Sequence, residues 1–385
     1  MKYPHITEEH ELIRQTVRDF AEREIKPVAA ELDEQARFSE ELTARMGELG
    51  LFGMTLPQEY GGQELDTLSY IIAVEELARV DGSHAATLAA HNSLGVSPIN
   101  NYGTKEQKEK YLPPLTTGKT LWAFGLTEPE AGSDSRGSKT RATLENGKWN
   151  INGSKIFITN GSVGISAGAT VQAVSGEDEK GKKEFSTIIV EKDTPGFTRQ
   201  TMHNKMMWRA SDTSMLFFDD CEVPEENLLG NRGDGSKIML STLDGGRLSI
   251  AAMGLGLAQG AFEMAQQYAE ERQQFGRPIG KFQINSFKLA DMALKIEHAR
   301  SFLYNACWLK DQGELYGKAS AMAKLYCSEI AKEVADEAVQ IHGGYGLTKD
   351  YDIERFYRDQ RLLQIGEGTS EIQRMVIARH LEKER

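Results

Sequence analysis

The sequence predicts a mostly α-helical chain interrupted by one β domain: helices over 1–120, antiparallel strands over 121–231 and a helical bundle over 232–385. Three observations carry this. Apolar residues recur at helical spacing up to about residue 120, alternation and Asn-Gly turn signals take over after Trp122, and the helical period returns in longer segments past Gly230. No internal repeat or low-complexity linker separates the three parts, so they are expected to pack closely.

In the first part, Thr7 offers an N-cap, Glu8 and Glu9 fall in the first turn, and Ile13, Val17, Phe20, Ala21 and Ile25 line one helical face. Further helices are predicted over 40–50, 65–80 and 105–112, parted by breakers at 57–62 and Gly82. In the middle part, Asn146-Gly147, Asn152-Gly153 and Asn160-Gly161 read as hairpin turns beside strands at 148–151 and 155–159. The runs 170–174 and 185–190 read as a strand pair around a polar loop at 176–183, and 215–218 as a further strand. In the last part Ala323, Cys327, Ile330, Val334, Ala338 and Ile341 form an apolar stripe ended by Gly343-Gly344.

Composition narrows the function. The chain has 385 residues, 39% hydrophobic and 26% charged, enough for a sizeable core in more than one domain. A net charge of -12 argues against nucleic acid as a partner. Cys221, Cys307 and Cys327 form no CxxC pair and no even disulfide framework, which points to a reducing compartment without a thiolate metal site. The opening MKYPHITEEHEL lacks an apolar signal core, and the least charged stretch, 248–262, is 15 residues, short of a bilayer span. A cytoplasmic protein with no membrane partner and no metal is expected.

Common catalytic motifs are weak here. Gly164 to Gly168 matches GxSxG, but a β-like run follows where a nucleophile elbow needs a helix. Gly118-Lys119-Thr120 resembles the end of a P-loop, yet Pro113 stands where its first glycine belongs. GxGxxG and HExxH are absent, and the histidines are scattered. His342, at a helix end, can cap carbonyls as readily as touch a ligand.

Three stretches carry more. LTEPEAGSDS at 126–135 offers small residues and hydroxyls whose backbone can approach a planar or phosphorylated ligand, although a surface turn has the same composition. RQQFGRPIGKFQ at 272–283 is a cationic loop suited to phosphate, or a plain solvated one. IGEGTSEIQR at 365–374 sets Glu367 between two glycines just before a helix starting near Ser370, giving a carboxylate room to reach a substrate; acids also favour helix starts for their own sake.

Together, and in this order, PQEYGG (57–62), TEPEAGSDS (127–135), INGSK (151–155) with TNG (159–161), RASDT (209–213), VPEENLLG (223–230), ER (271–272) with FG (275–276), QIHGGYG (340–346) and EGTSEIQR (367–374) resemble the acyl-CoA dehydrogenase family of flavoproteins. The resemblance spans essentially the whole chain. It implies a β-barrel-like middle domain, a C-terminal four-helix bundle, and FAD bound without a covalent link. By family position, Phe124, Leu126, Thr127, Gly132 and Ser133 would contact the flavin from one side, with Phe157 and Thr159 beside its ring. Arg272, Phe275, Gln283, Gln340, Gly343 and Gly344 would hold the adenine and diphosphate end, partly on a neighbouring subunit of a homotetramer built as a pair of dimers, and Thr369 and Glu371 would complete the pocket. Ser133, the run from Asp244 to Arg247, and Gly368 match positions that contact CoA or the thioester channel; Asp244 and Arg247 read equally as a surface ion pair.

The resemblance also implies the reaction: an acyl-CoA thioester becomes a trans-2-enoyl-CoA. Glu367 would take the α-proton, its basicity raised by burial, while flavin N5 takes the β-hydride and electrons pass on to electron-transferring flavoprotein. The enolate oxygen would be held by the Glu367 N–H and a ribityl hydroxyl. Gly246 leaves Glu367 without the rival acid that some members carry there, and Gly366 is expected to widen the pocket. The small, uncharged run 85–91 suggests an apolar tunnel with no anchor for a second carboxylate. Rival readings are an acyl-CoA oxidase or flavin monooxygenase, disfavoured because the chain ends soon after EGTSEIQR, and a non-catalytic acyl-CoA binder, disfavoured by Glu367 and the flavin stretches.

Overall fold

The structure is a computed structural model and describes residues 3–177 and 180–384. The N-terminal third comprises α1 (Glu8–Phe20), α2 (Lys26–Gln35), α3 (Glu40–Glu48), α4 (Thr67–Ala78), α5 (Gly82–Ala89), α6 (Ser97–Tyr102) and α7 (Lys105–Leu115). Thr7 caps α1 as expected, accepting the His10 N–H, while the His10 ring accepts the Thr7 N–H at 3.0 Å. The other ring nitrogen of His10 lies 3.0 Å from Asp66, the N-cap of α4, so one histidine ties two helix starts together. Every residue of α4 is buried, the mark of a helix enclosed on all sides. Between α5 and α6 the chain passes through a π-helical turn, Ala90–Val96, a distortion that often marks a functional site.

Strands follow: β1 (Leu121–Gly125), β2 (Arg141–Glu145), β3 (Lys148–Thr159), β4 (Ser166–Glu177), β5 (Lys183–Glu191), β6 (Phe197–Thr201), β7 (Thr213–Pro224) and β8 (Leu228–Leu229). They form one sheet ordered β6-β7-β3-β2-β4-β5-β8, with β1 beside β4. The sheet is mixed rather than wholly antiparallel, because β1 enters from the helical part and runs parallel to β4. Such a pair needs a long crossover, and the β2–β3 hairpin supplies it. Asn146 and Gly147, at φ +51° and +75°, make the expected hairpin turn.

Asn152-Gly153 does not turn. It lies inside β3 at a register shift, where a Cβ on Gly153 would stand 2.6 Å from Thr140 Oγ1, so glycine serves a close strand approach. The predicted polar loop at 176–183 includes Asp178 and Glu179, which lie outside the described residues. Ser166 of the GxSxG match opens β4 with its side chain buried, so no nucleophile elbow forms.

The C-terminal part contains α8 (Gly235–Glu271), the short hairpin β9 (Gln273–Gln274) and β10 (Arg277–Pro278), α9 (Gln283–Asp311), α10 (Gly317–His342), α11 (Ile353–Asp359) and α12 (Ser370–Lys383). By length and composition α8 could cross a membrane, more than its 15-residue uncharged stretch suggests, but 78% of its most apolar window is buried inside the protein, as in the central helix of a core. A single apolar core runs through α1, α4, α8, α9 and α10, while the strands have their own. Cys221, Cys307 and Cys327 are free and buried.

Candidate active site

The site is assembled at the turn between α11 and α12. Thr369 caps α12 by accepting the Ile372 N–H at 3.3 Å, and just before it Glu367 and Gly368 take φ +51° and +91°. Left-handed backbone is unfavourable for glutamate, so the turn needs outside support. Gln373 supplies some, its Nε2 donating to the Gly368 carbonyl at 2.8 Å and reaching the Glu367 carbonyl at 3.3 Å. The Lys324 ammonium donates to the same Gly368 carbonyl at 2.7 Å.

The turn lays the Glu367 carboxylate against α8. A Cβ on Gly246 would stand 2.1 Å from Glu367 Oε2, so Gly246 does more than remove a rival acid: it makes the space the carboxylate fills. That oxygen is buried without a hydrogen-bond partner. Burial pushes the carboxyl up to about 7, opposed by the charges of Lys324 and Arg247. Arg247 does not pair with it, since its guanidinium donates to Asp244. The Asp244–Arg247 pair is only half at the surface: the arginine is 5% exposed, whereas the aspartate side chain is 39% exposed. Gly366 opens no extra room, because a Cβ there would meet Leu362 Cδ2 at 3.0 Å; the widening expected from the sequence is filled by that side chain.

Phe124 and Leu126 pack with Met239 of α8, and Leu94 and Leu243 join them. Leu94, presented by the π-helical turn, comes within 3.0 Å of the Cβ position at 246. Thr127 is half-buried and its carbonyl accepts the Ile156 N–H at 2.9 Å. Gly132 and Ser133 are exposed, and nothing lies within 4 Å of a Cβ on Gly132. Phe157, at φ +60°, leaves 62% of its surface bare beside half-buried Thr159. Glu371 is exposed in the first turn of α12.

The second group of candidates lies elsewhere. Arg272, Gly343 and Gly344 line a cleft of about 550 Å³ with Tyr268, His342 and Tyr345. His342 donates from Nδ1 to the Ala338 carbonyl, 2.7 Å away, and stacks on Tyr268 with ring centres 4.4 Å apart, so it is built into the cleft wall. Phe275 is 93% exposed, Gln283 opens α9 and Gln340 is exposed near the end of α10; none of the three lines the cleft. Arg247 lies in α8 and Arg272 caps its C-terminal end, about 37 Å away along the helix at 1.5 Å per residue. The structure therefore brings the candidates together as two clusters, not one. A larger cleft of about 1180 Å³, between α7 and the sheet, holds no candidate residue.

Sequence reasoning missed several contributors. Lys324 stands next to Ala323 in the apolar stripe of α10, and a lone lysine on a buried face was the available signal. Gln373 lay inside the EGTSEIQR stretch without a role. Lys155, fully buried, donates to Glu128 Oε1 at 2.8 Å and to the Leu126 carbonyl at 3.2 Å, bracing the loop that carries Leu126 and Thr127; only the long-range pairing reveals that.

A helical part, a central sheet and a second helical part, with a carboxylate oxygen of Glu367 held buried and without a partner at a strained turn, are the features of an enzyme. The chain matches the acyl-CoA dehydrogenase N-terminal domain over residues 7–119, the middle domain over 123–221 and the C-terminal domain over 233–382, and it belongs to the acyl-CoA dehydrogenase family. It is 49% identical over 374 residues to the short-chain specific acyl-CoA dehydrogenase of Clostridium acetobutylicum, covering 97% of this chain and 98% of that one. Among solved structures it superposes on butyryl-CoA dehydrogenase from Megasphaera elsdenii with a TM-score of 0.95 at 43% identity, covering 99% and 100% of the two chains. A chain solved with the electron transferring flavoprotein of Acidaminococcus fermentans as its subject gives a TM-score of 0.94 at 46% identity, covering 99% of each.

Proposed function

We infer that this protein, with FAD bound, is an acyl-CoA dehydrogenase that converts a short-chain acyl-CoA to its trans-2-enoyl-CoA. The observation that carries the reading is Glu367: a carboxylate with one oxygen buried and without a partner, held up at about 7, is a base poised to take a weakly acidic proton near neutral pH.

The residues present fit the cofactor. Bare Phe157 and the packed Phe124 and Leu126 offer flat apolar surface for a flavin ring, with Thr127, Thr159, Gly132 and Ser133 at its edge. Open glycine backbone at Gly343 and Gly344 and the Arg272 guanidinium suit a diphosphate. When bound, FAD supplies the acceptor for the β-hydride. Glu367 takes the α-proton and is then neutral, the form its surroundings favour. The Glu367 N–H, which no acceptor among the described residues takes, is free to hold the thioester oxygen as negative charge develops there. Arg247, Asp244, Ser133 and Gly368 line the approach of the CoA thioester, and Thr369 fixes the start of α12 beside it.

Short chains are favoured by Leu94, which the π-helical turn sets against Gly246, and by the names of the relatives. Lys324 and Arg247, the cations whose charges act on Glu367, are engaged with the Gly368 carbonyl and with Asp244, which leaves neither to anchor a second carboxylate. The separation of Arg272 from Arg247 along α8 supports the reading that Arg272 serves a neighbouring subunit's FAD diphosphate in a homotetramer of paired dimers. Electron-transferring flavoprotein is the acceptor we assign, and the reducing cytoplasm the compartment, with 1–120, 121–231 and 232–385 as domains. Anaerobic addition of butyryl-CoA to the yellow holoprotein tests the reading: the flavin band bleaches if it holds and persists if it does not.

A further inference from the structure

Two buried side chains outside the reaction pocket hold the turn that presents Glu367. Lys324, on α10, is fully buried, and burial pushes its ammonium down to about 8. A buried ammonium is expensive unless its charge is used. Its hydrogen bond goes not to a carboxylate but to the Gly368 carbonyl at 2.7 Å, one residue past the base. Gln373, also fully buried, reaches the same carbonyl from α12 at 2.8 Å. Two donors from two helices thus meet at one carbonyl of a left-handed pair, Glu367 at φ +51° and Gly368 at φ +91°.

We propose that Lys324 is a positioning residue: anchored with Gln373 on the Gly368 carbonyl, it locks the Glu367–Gly368 turn against Gly246 and sets a positive charge beside the base without pairing with it. The inference rests on Glu367 being the base. Direct pairing would bind the carboxylate's lone pairs and quench its basicity, whereas an apolar neighbour would leave the buried carboxylate protonated to higher pH. Anchoring the ammonium one residue away avoids both. The charged and titratable groups around Glu367 are Tyr70 from α4, Arg247 with its partner Asp244 from α8 and Lys324 from α10, while exposed Glu371 from α12 acts on Lys324. Arg247 is committed to Asp244, so Lys324 is the cation whose removal is felt most cleanly.

The test is the rate of anaerobic flavin reduction by butyryl-CoA, followed in holoprotein from about pH 5 to pH 9. Lys324→Gln keeps a donor for the Gly368 carbonyl but loses the charge, so the acid limb moves up by about one pH unit. Lys324→Met loses both, so the same shift comes with a plateau rate lower by about tenfold or more. Gln373→Met removes a clamp without a charge, lowering the plateau and leaving the limb in place. A purely structural role for Lys324 moves no limb. An unmoved limb in Lys324→Gln overturns the proposal, as does a parent-like plateau in Lys324→Met. If Lys324→Met does not fold with flavin, Gln373→Met decides the clamp: a parent-like plateau there refutes it. Glu367→Gln separates the two levels. If it reduces flavin at the parent rate, the assignment of the base fails and the proposal falls with it; if it is inactive while the Lys324 variants behave as the parent, only the proposal falls.

Discussion

Replacing Glu367 by glutamine is expected to stabilise the protein at alkaline pH even as it removes the base. In the folded protein the carboxylate is buried against Gly246 without a partner and keeps its proton up to about 7, against an ordinary value of 4.5. The unfolded chain gives up that proton near 4.5. The raised value therefore favours the folded state below pH 4.5, and this contribution is lost as pH rises through 7. The gap between the two values is equivalent to about 3 kcal/mol, an upper bound because the residue is partly exposed. Glutamine has no proton to lose. Thermal unfolding of parent and variant, flavin content matched, should give similar stabilities near pH 5 and a gap that widens in favour of the variant, by up to about 3 kcal/mol, near pH 8. Asp359, likewise held up at about 7, adds the same slope to both proteins and cancels in the difference. Parallel profiles would refute the reasoning, because they would mean that the carboxylate is solvated or paired in solution.

Other outcomes follow from the same geometry. Gly246→Ala puts a Cβ 2.1 Å from Glu367 Oε2 and must push the base aside; flavin content should hold while flavin reduction slows by about tenfold or more, and a rate within threefold of the parent contradicts the packing. Arg272→Ala should lose FAD and shift to smaller assemblies on gel filtration together, whereas full flavin occupancy in a smaller species would remove Arg272 from the diphosphate site. Comparing kcat/KM across butyryl-, isobutyryl-, octanoyl- and glutaryl-CoA should put butyryl-CoA ahead of glutaryl-CoA, and the reverse order would mean that a cation for the second carboxylate has been overlooked.

What the sequence made legible was periodicity and local chemistry. The Thr7 cap, the Asn146-Gly147 turn and the helix start at Ser370 each depend on neighbours in the chain, and each is found where those neighbours set it. Asn152-Gly153 misled because a glycine that permits a turn equally permits a close strand approach, and Thr140 decides between them from a distance in sequence. The parallel β1–β4 pair was hidden for the same reason. At the site, Glu367 stood out through its two glycines, but what lies around it did not: Gly246, Leu362, Lys324 and Gln373 converge on the turn from α8, the segment before Gly366, α10 and α12. Gly366 was read as an opening in the pocket, and only Leu362, folded back four residues, shows that the space is taken.

The central claim, that Glu367 takes the α-proton, is tested most directly by anaerobic stopped-flow of holoprotein against butyryl-CoA at the flavin band. The parent should bleach, while Glu367→Gln should keep its flavin, bind the thioester and lose more than the roughly 10² to 10⁴-fold usual for a general base, since Gly246 offers no substitute acid. Bleaching of the variant within tenfold of the parent would put the base elsewhere.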